Sequence, residues 1–154
     1  MKEKRVRKLA KKTQGVQQIA ALPVRETPEG GVEILLLTSR ETRRFVVPKG
    51  WPMKGRSRAR AAAIEAEQEA GVLGTTAKKP IGAYHYWKRL DTVFVPVTVD
   101  VFELQVTEEK GTWLEKHQRE RQWLPGLDAA RLVDEPELAD LIERYVTSRK
   151  PVAD

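Results

Sequence analysis

The chain has 154 residues, of which 40% are hydrophobic and 32% are charged. This length and balance fit one globular domain with a hydrophobic core and exclude an intrinsically disordered chain. No apolar run approaches the roughly 18 residues that span a bilayer, and no apolar segment follows the basic N-terminus as it would in a secretory signal. The absence of cysteine excludes disulfides and thiol chemistry and is compatible with the cytoplasmic location that we expect.

The net charge of +6 is concentrated at the N-terminus. Residues 1–12 carry seven basic side chains and one acidic side chain, so the remainder of the chain is neutral. We expect residues 1–14 to form a basic flexible tail and residues 15–150 to form a single domain. The tail has two interpretations: a solvated terminal segment, or a contact for an anionic partner such as nucleic acid or a polyphosphate substrate. A membrane partner is not expected, because the tail has little apolar area.

Short apolar runs separated by turn residues predict a β-rich N-terminal half. Residues 15–25 form the first predicted strand, and residues 27–31 (TPEGG) have the Pro and Gly content of a turn. Residues 32–37 predict a buried strand that pairs with the first. Residues 45–47 predict a further short strand, and residues 48–55 a loop.

Residues 57–70 predict a helix that ends at Gly71. Its alanines repeat at helical spacing and form a stripe of small side chains, which lets a helix lie close to a sheet. Glu65, Gln68 and Glu69 fall on a different face of the helical wheel from this stripe. The stripe consists of Ala59, Ala63, Ala66 and Ala70.

The C-terminal half predicts two strands, over residues 81–87 and 92–104, joined by a tight turn. Alternate valines, beginning at Val93, share one face of the second strand. Residues 121–124 predict a last short strand, and a final amphipathic helix follows Asp134 as its N-cap. This order of elements predicts a mixed-sheet α/β or α+β domain.

The stretch from Pro48 to Val72, PKGWPMKGRSRARAAAIEAEQEAGV, joins a glycine-containing loop to the alanine-rich helix. Glu65 and Glu69 lie one helical turn apart and supply the oxygen ligands that hard divalent cations prefer. A loop carbonyl near Gly50 adds another oxygen, and Gln68 adds an amide oxygen without charge. The alternative is that these acids are solvated charges on an exposed helix face.

This stretch resembles the box of the Nudix hydrolases, whose pattern is G, five residues, E, seven residues, then R-E-U-x-E-E-x-G-U, with U aliphatic. The order of the flanking segments is similar to the branch that cleaves diphosphoinositol polyphosphates and dinucleoside polyphosphates. The box is degenerate, because Arg56, Ile64 and Gln68 stand where the family has Glu, Arg and Glu. The matching positions are Gly50, Glu65, Glu69, Gly71 and Val72.

The resemblance implies a Nudix-type mixed β-sheet sandwiched between helices and a metal-dependent hydrolase of diphosphate linkages. It implies Mg²⁺ or Mn²⁺ as cofactor, with Glu65 as general base and Glu69 as main ligand, and with Gln68 and Gly50 as further ligands. The sequence does not decide whether another acid completes the site. Candidates for that acid are Asp91, Asp100 and Glu103.

Basic residues around the loop indicate where substrate phosphates bind. His85 has an alternative role as a structural residue of a strand, and Arg56 and Arg60 have an alternative role as surface partners of Glu67. Trp51, beside the box glycine, is a packing residue or a stacking platform. The residues that we expect to bind substrate are Arg40, Lys54, Arg25, His85 and Lys88.

Two functional hypotheses follow from these observations. The first is a Nudix-type pyrophosphohydrolase acting on an inositol pyrophosphate or a dinucleoside polyphosphate. The second is a catalytically weakened Nudix-fold binding module for polyphosphate or RNA. Gln68 and the basic tail are the features that favour the second hypothesis.

Overall fold

The computed structural model describes Lys4 and residues 16–149. Within this described part, eight strands form one mixed sheet, and three helices cover its two faces. The expected sandwich fold is thereby confirmed. The strands are β1 (Val16–Glu26), β2 (Val32–Thr38), β3 (Phe45–Val46), β4 (Lys49–Gly50), β5 (Val72–Thr76), β6 (Gly82–Arg89), β7 (Phe94–Glu109) and β8 (Arg121–Pro125). The helices are α1 (Arg58–Ala70), α2 (Gly126–Leu132) and α3 (Pro136–Ser148).

The centre of the sheet is a parallel pair, β1 and β7, in register from Val16 opposite Val97 to Val24 opposite Gln105. The other edge of β7 pairs first with β6 and then with β5, both antiparallel. On the other side of the sheet β2 pairs antiparallel with β1, β3 and β8. The long strand β7 therefore joins the β1–β2 side of the sheet to the β5 and β6 side.

Side-chain alternation along the central strands supplies both hydrophobic layers. One face of the sheet, including Leu22 and Val99, packs against α2 and α3. The opposite face, including Ile19 and Phe102, packs against α1. No helix in the described residues is long and apolar enough to cross a bilayer.

Helix α1 begins and ends as its sequence predicts. The Ser57 hydroxyl accepts the backbone N–H of Arg60 at 3.1 Å and caps the N-terminus. Gly71 adopts the left-handed conformation (φ 67°) that ends the helix, and its N–H donates to the Glu67 carbonyl. The buried face differs in detail from the predicted stripe: Ala61 and Ala62 are fully buried, whereas Ala63 is half-buried.

Several local predictions were wrong or incomplete. The N-cap of α3 is Glu135 rather than Asp134, because Pro136 occupies the first helical position. Val93 does not share the buried valine face: it precedes β7 and is exposed. Strands β4 and β5 and helix α2 were not predicted. The predicted basic tail lies, apart from Lys4, outside the described residues and stays a prediction.

Candidate functional site

The two acids of the box lie together at the interface of α1 and the sheet. Glu69 is only 6% exposed, and Glu65 is half-buried one turn before it. Burial, followed by a hydrogen bond that the protonated Glu69 donates to Glu65, raises the pKa of Glu69 to about 9. The Glu69 side chain therefore holds a proton at neutral pH. The interpretation of Glu69 as a solvated helix charge was wrong, because Glu69 lies on the buried face of α1, next to buried alanines.

Gly50 makes room for this acid pair, by which we mean Glu65 and Glu69. Strand β4 pairs with β1, with Gly50 opposite Ile19, and Gly50 lies against Glu65 of α1. A Cβ atom at Gly50 would lie 2.3 Å from the Glu65 Oε1 atom. Glycine is required here because the Glu65 carboxylate occupies the space that a side chain would fill. The requirement is not conformational, because the backbone of Gly50 is not in the left-handed region.

The segment between β7 and β8 closes the C-terminal end of α1. The backbone N–H of Glu115 donates to the Gln68 carbonyl at 3.0 Å, and the Trp113 indole donates to the Glu69 carbonyl at 3.2 Å. The guanidinium of Arg121 donates to the carbonyl of Ala70 at 3.0 Å and lies 4.0 Å above the Trp113 ring. These contacts satisfy helix carbonyls that would otherwise lack donors and hold the acid pair in register.

The donor set of the acid pair is compatible with one divalent cation. A buried carboxyl group that holds a proton can exchange it for a metal ion, since either positive charge relieves the repulsion from neighbouring acids. Gln68 is half-buried beside them and brings no charge. Among the described residues, no group of three or more His, Cys, Asp or Glu side chains is arranged to hold an ion. The remaining ligands would therefore come from backbone, water or substrate oxygens.

The acids proposed as additional ligands serve other contacts. Asp100 forms an ion pair with Arg58 at 2.7 Å. Glu103 accepts a hydrogen bond from the Tyr145 hydroxyl and pairs with Arg149 at 3.4 Å. Asp91 borders a second cavity, which shares Glu41 and Arg89 with the main cavity described below. Sequence reasoning missed Glu115, which is close enough to the acid pair for its charge to raise the pKa of Glu69.

A cavity of about 800 Å³ is lined by several Lys and Arg side chains, and we call it the cationic cavity; neither Glu65 nor Glu69 lines it. Two of its cations, Lys49 and Arg119, also interact electrostatically with Glu69 and so connect the cavity to the acid pair. Burial lowers the pKa of Lys49, and the charge of Glu69 acts against this shift. The lining residues are Ser39, Arg40, Glu41, Thr42, Arg44, Val46, Lys49, Arg89, Arg119 and Asp134.

Two of the five residues expected to bind substrate lie at or near this cavity. Arg40 lines it, with its guanidinium donating to the Gln118 side chain at 3.1 Å. Lys88 lies close enough to Lys49 to lower its pKa, and its amine is 6.0 Å from the centre of the Trp51 ring.

The other three do not line the cavity. Lys54 is exposed on the loop before α1. Arg25 pairs with Glu33 at 2.8 Å and lies 4.2 Å above the Trp123 ring.

His85 and Glu67 also have partners outside the cavity. The His85 imidazole lies 2.7 Å from the carboxylate of Glu137 and lowers its pKa, which agrees with the structural alternative for this histidine. Glu67 lies 3.9 Å from the Lys110 amine, a different cation from the Arg56 and Arg60 side chains weighed as its partners.

Comparison with known proteins places the sequence near two plant Nudix hydrolases. The chain is 33% identical over 105 residues to Nudix hydrolase 12, mitochondrial, of Arabidopsis thaliana, covering 66% of this chain and 52% of that protein. It is 27% identical over 124 residues to Nudix hydrolase 13, mitochondrial, of the same plant, covering 77% and 61%. The chain thus spans between one half and two thirds of the length of these relatives. No protein-family model matches the sequence.

Solved structures share the fold. A Nudix hydrolase from Nitrosomonas europaea has a TM-score of 0.68 at 18% identity and covers 90% of this chain and 93% of its own. An Ap4A hydrolase from C. elegans, solved as a binary complex, has a TM-score of 0.64 at 19% identity and covers 86% and 96%. At these identities the likeness establishes the fold, and the chain has the Nudix fold.

Proposed function

We propose that the protein is a Nudix-type pyrophosphohydrolase that cleaves a diphosphate linkage in a highly anionic small molecule. The observation that carries this proposal is the electrostatic connection of the acid pair, with Glu69 buried and Glu65 half-buried, to the cationic cavity through Lys49 and Arg119. Phosphoryl transfer needs positioning and charge neutralisation more than covalent chemistry, and the site offers both. The sequence relatives named above agree with this reaction class.

Each part of the site has a task in this reaction. Glu69 and Glu65 would hold Mg²⁺ or Mn²⁺, and Gly50 and Gln68 would contribute further oxygens. The ion, when bound, neutralises phosphate charge and lowers the pKa of a bound water. The proposed general base is Glu65, the more exposed of the two acids, which would accept the proton of the attacking water. Lys49 and Arg119 line the cavity, interact electrostatically with Glu69 and would bind a phosphate of the substrate.

The composition of the cavity wall favours an inositol pyrophosphate over a dinucleoside polyphosphate. Five of the lining side chains are Lys or Arg, and none is aromatic. A nucleobase gains much of its binding energy by stacking on an aromatic ring, whereas a phosphorylated ring needs cations on several sides. We therefore expect Arg40 and the other cavity cations to select for phosphate density rather than for a base.

Release of phosphate from a diphosphoinositol polyphosphate in the presence of Mg²⁺ or Mn²⁺ tests the proposal. Wild type is compared with Glu69→Gln, and Arg131→Ala serves as the control because that side chain is exposed on α2 and does not line the cavity. We expect Glu69→Gln to lose at least about 10²-fold in rate and the control to remain active. Equal inactivity of wild type and Glu69→Gln on inositol pyrophosphates and dinucleoside polyphosphates would refute the enzyme.

A second candidate function is a binding module for polyphosphate or RNA. Gln68 favours it, because an amide in place of a carboxylate reduces the negative charge available to a cation. Calorimetry separates the two functions: the module predicts salt-sensitive binding without divalent metal, weakened by deletion of residues 1–12. Nucleic-acid binding by the tail and the cytoplasmic location both stay predictions.

A further inference from the structure

The segment between β7 and β8 contains an ion pair that touches both halves of the site. The Arg119 Nε atom lies 3.0 Å from the Glu115 Oε1 atom, and the two side chains are only 14% and 19% exposed. Arg119 also lines the cationic cavity, and its Nη1 group donates to the Thr38 carbonyl at 3.5 Å. One guanidinium thus serves the cavity wall and a carboxylate beside the acid pair.

Glu115 is fixed next to the turn of α1 that carries the acid pair. Its backbone N–H donates to the carbonyl of Gln68, the residue whose side chain lacks the expected charge. Its carboxylate interacts electrostatically with Glu69. Glu115 therefore brings an additional carboxylate to the turn of α1 in which Gln68 replaces the family's glutamate. In this structure Arg119 forms an ion pair with that carboxylate.

We propose that the Arg119–Glu115 ion pair couples phosphate binding in the cationic cavity to cation binding at the acid pair. The inference rests on the function proposed above. A phosphate in the cavity competes for the Arg119 guanidinium, because phosphate oxygens accept its paired N–H groups bidentately. Glu115 then loses its partner while largely buried, and an unpaired buried carboxylate is costly. Rotation toward the cation at Glu65 and Glu69 relieves that cost and supplies the charge that Gln68 does not.

Mn²⁺ binding in phosphate-free buffer tests the carboxylate half of the proposal. Affinities are measured by calorimetry, with electron paramagnetic resonance of bound Mn²⁺, for wild type, Arg119→Gln, Glu115→Gln and the double variant. We expect Arg119→Gln to raise Mn²⁺ affinity about tenfold when Glu115 is present and less than about threefold when residue 115 is Gln. The alternative is that Arg119 weakens Mn²⁺ binding only by repelling the ion. In that case removing Arg119 raises the affinity more in the Glu115→Gln protein than in wild type, because no carboxylate there offsets the charge of Arg119. This result would overturn the proposal.

Binding of inositol hexakisphosphate in metal-free buffer tests the phosphate half. This probe has many phosphates and no diphosphate linkage, so it reports binding without turnover. We expect Glu115→Gln to bind it about threefold more tightly than wild type, because Arg119 is released, and Arg119→Gln to bind it about tenfold more weakly. Unchanged affinities in both variants would remove Arg119 from the phosphate site. Should Arg119→Gln fail to fold, Arg119→Lys is expected to weaken probe binding, because it removes the bidentate donor.

The same titrations separate this inference from the proposed function. Mn²⁺ binding by wild type that Glu69→Gln abolishes supports the acid pair as the cation site, whatever the Arg119 and Glu115 variants do. That result together with the wrong order of affinities refutes the coupling alone. Absence of Mn²⁺ binding by wild type refutes the coupling and the metal-dependent reaction together.

Discussion

Replacing Gly50 with alanine is expected to disable the acid pair while leaving the fold intact. The added Cβ atom would lie 2.3 Å from Oε1, 2.4 Å from Cδ and 2.8 Å from Oε2 of Glu65. Ordinary contact begins near 3.4 Å, so the carboxylate must move by about 1 Å. A displacement of that size at a reacting group costs about 10²-fold in rate, or about 2.7 kcal/mol of transition-state stabilisation.

The fold should tolerate this change. The clash is with the end of a flexible side chain rather than with backbone, and Gly50 does not have a positive φ. The smaller entropy of the unfolded alanine chain offsets part of any strain. We expect the melting temperature to change by less than about 4 °C.

The assay pairs Mn²⁺ affinity with kcat/KM on a diphosphoinositol polyphosphate. Gly111→Ala is the matched control, because a Cβ there meets no atom within 4 Å and the residue has no positive φ. We expect Gly50→Ala to lose about tenfold or more in Mn²⁺ affinity and about 10²-fold in kcat/KM, with the control unchanged. A folded Gly50→Ala protein with wild-type values for both would show that the Glu65 carboxylate does not act where the structure holds it.

Three further predictions concern charge and stability. First, the stability of the metal-free protein should fall as the pH rises from 4.5 towards 9, because the pKa of Glu69 is raised to about 9 and the folded state binds its proton more tightly. Thermal melts measured across this pH range should show the fall in wild type and not in Glu69→Gln. The same dependence on pH in both proteins would contradict the assignment. Second, Gln68→Glu should raise Mn²⁺ affinity about tenfold by adding a third carboxylate, measured by calorimetry; no gain would mean that position 68 does not reach the ion. Third, Arg121→Ala should lower the free energy of unfolding in urea by about 2–3 kcal/mol, because the Arg121 guanidinium donates to three backbone carbonyls. The control Arg131→Ala, at an exposed side chain, should lower it by less than about 0.5 kcal/mol. Equal effects of the two substitutions would refute the role of Arg121.

Elements with strong local signals could be predicted from the sequence. The β1–β2 hairpin has apolar runs around a Pro- and Gly-rich turn, and α1 has an N-cap serine and a C-terminal glycine. Strand β5 has no such signal, because only one of its five residues is buried and the strand forms through its pairing with β7. Helix α2 is seven residues long and starts at a glycine, so no helical period identifies it. Tertiary contact, rather than propensity, produces both elements.

The site divides in the same way. Box spacing was sufficient to bring Gly50, Glu65 and Glu69 into consideration together, since they lie within one loop–helix unit. Sequence reasoning did not predict that Glu69 is buried, because the alanine face wraps further around α1 than the predicted stripe. Glu115 and Arg119 were also missed, because they reach the acid pair through an irregular segment far along the chain. Loop geometry of this kind leaves no periodic trace in sequence.

The most direct test of the account is the Mg²⁺-dependent release of phosphate from a diphosphoinositol polyphosphate by wild type and by Glu69→Gln. Binding of inositol hexakisphosphate is measured in parallel to show that the cavity is intact in both proteins. The account predicts turnover by wild type, a loss of at least about 10²-fold in Glu69→Gln, and similar binding of the probe. Turnover at the same rate in both proteins, or none in wild type despite tight binding of the probe, would contradict it.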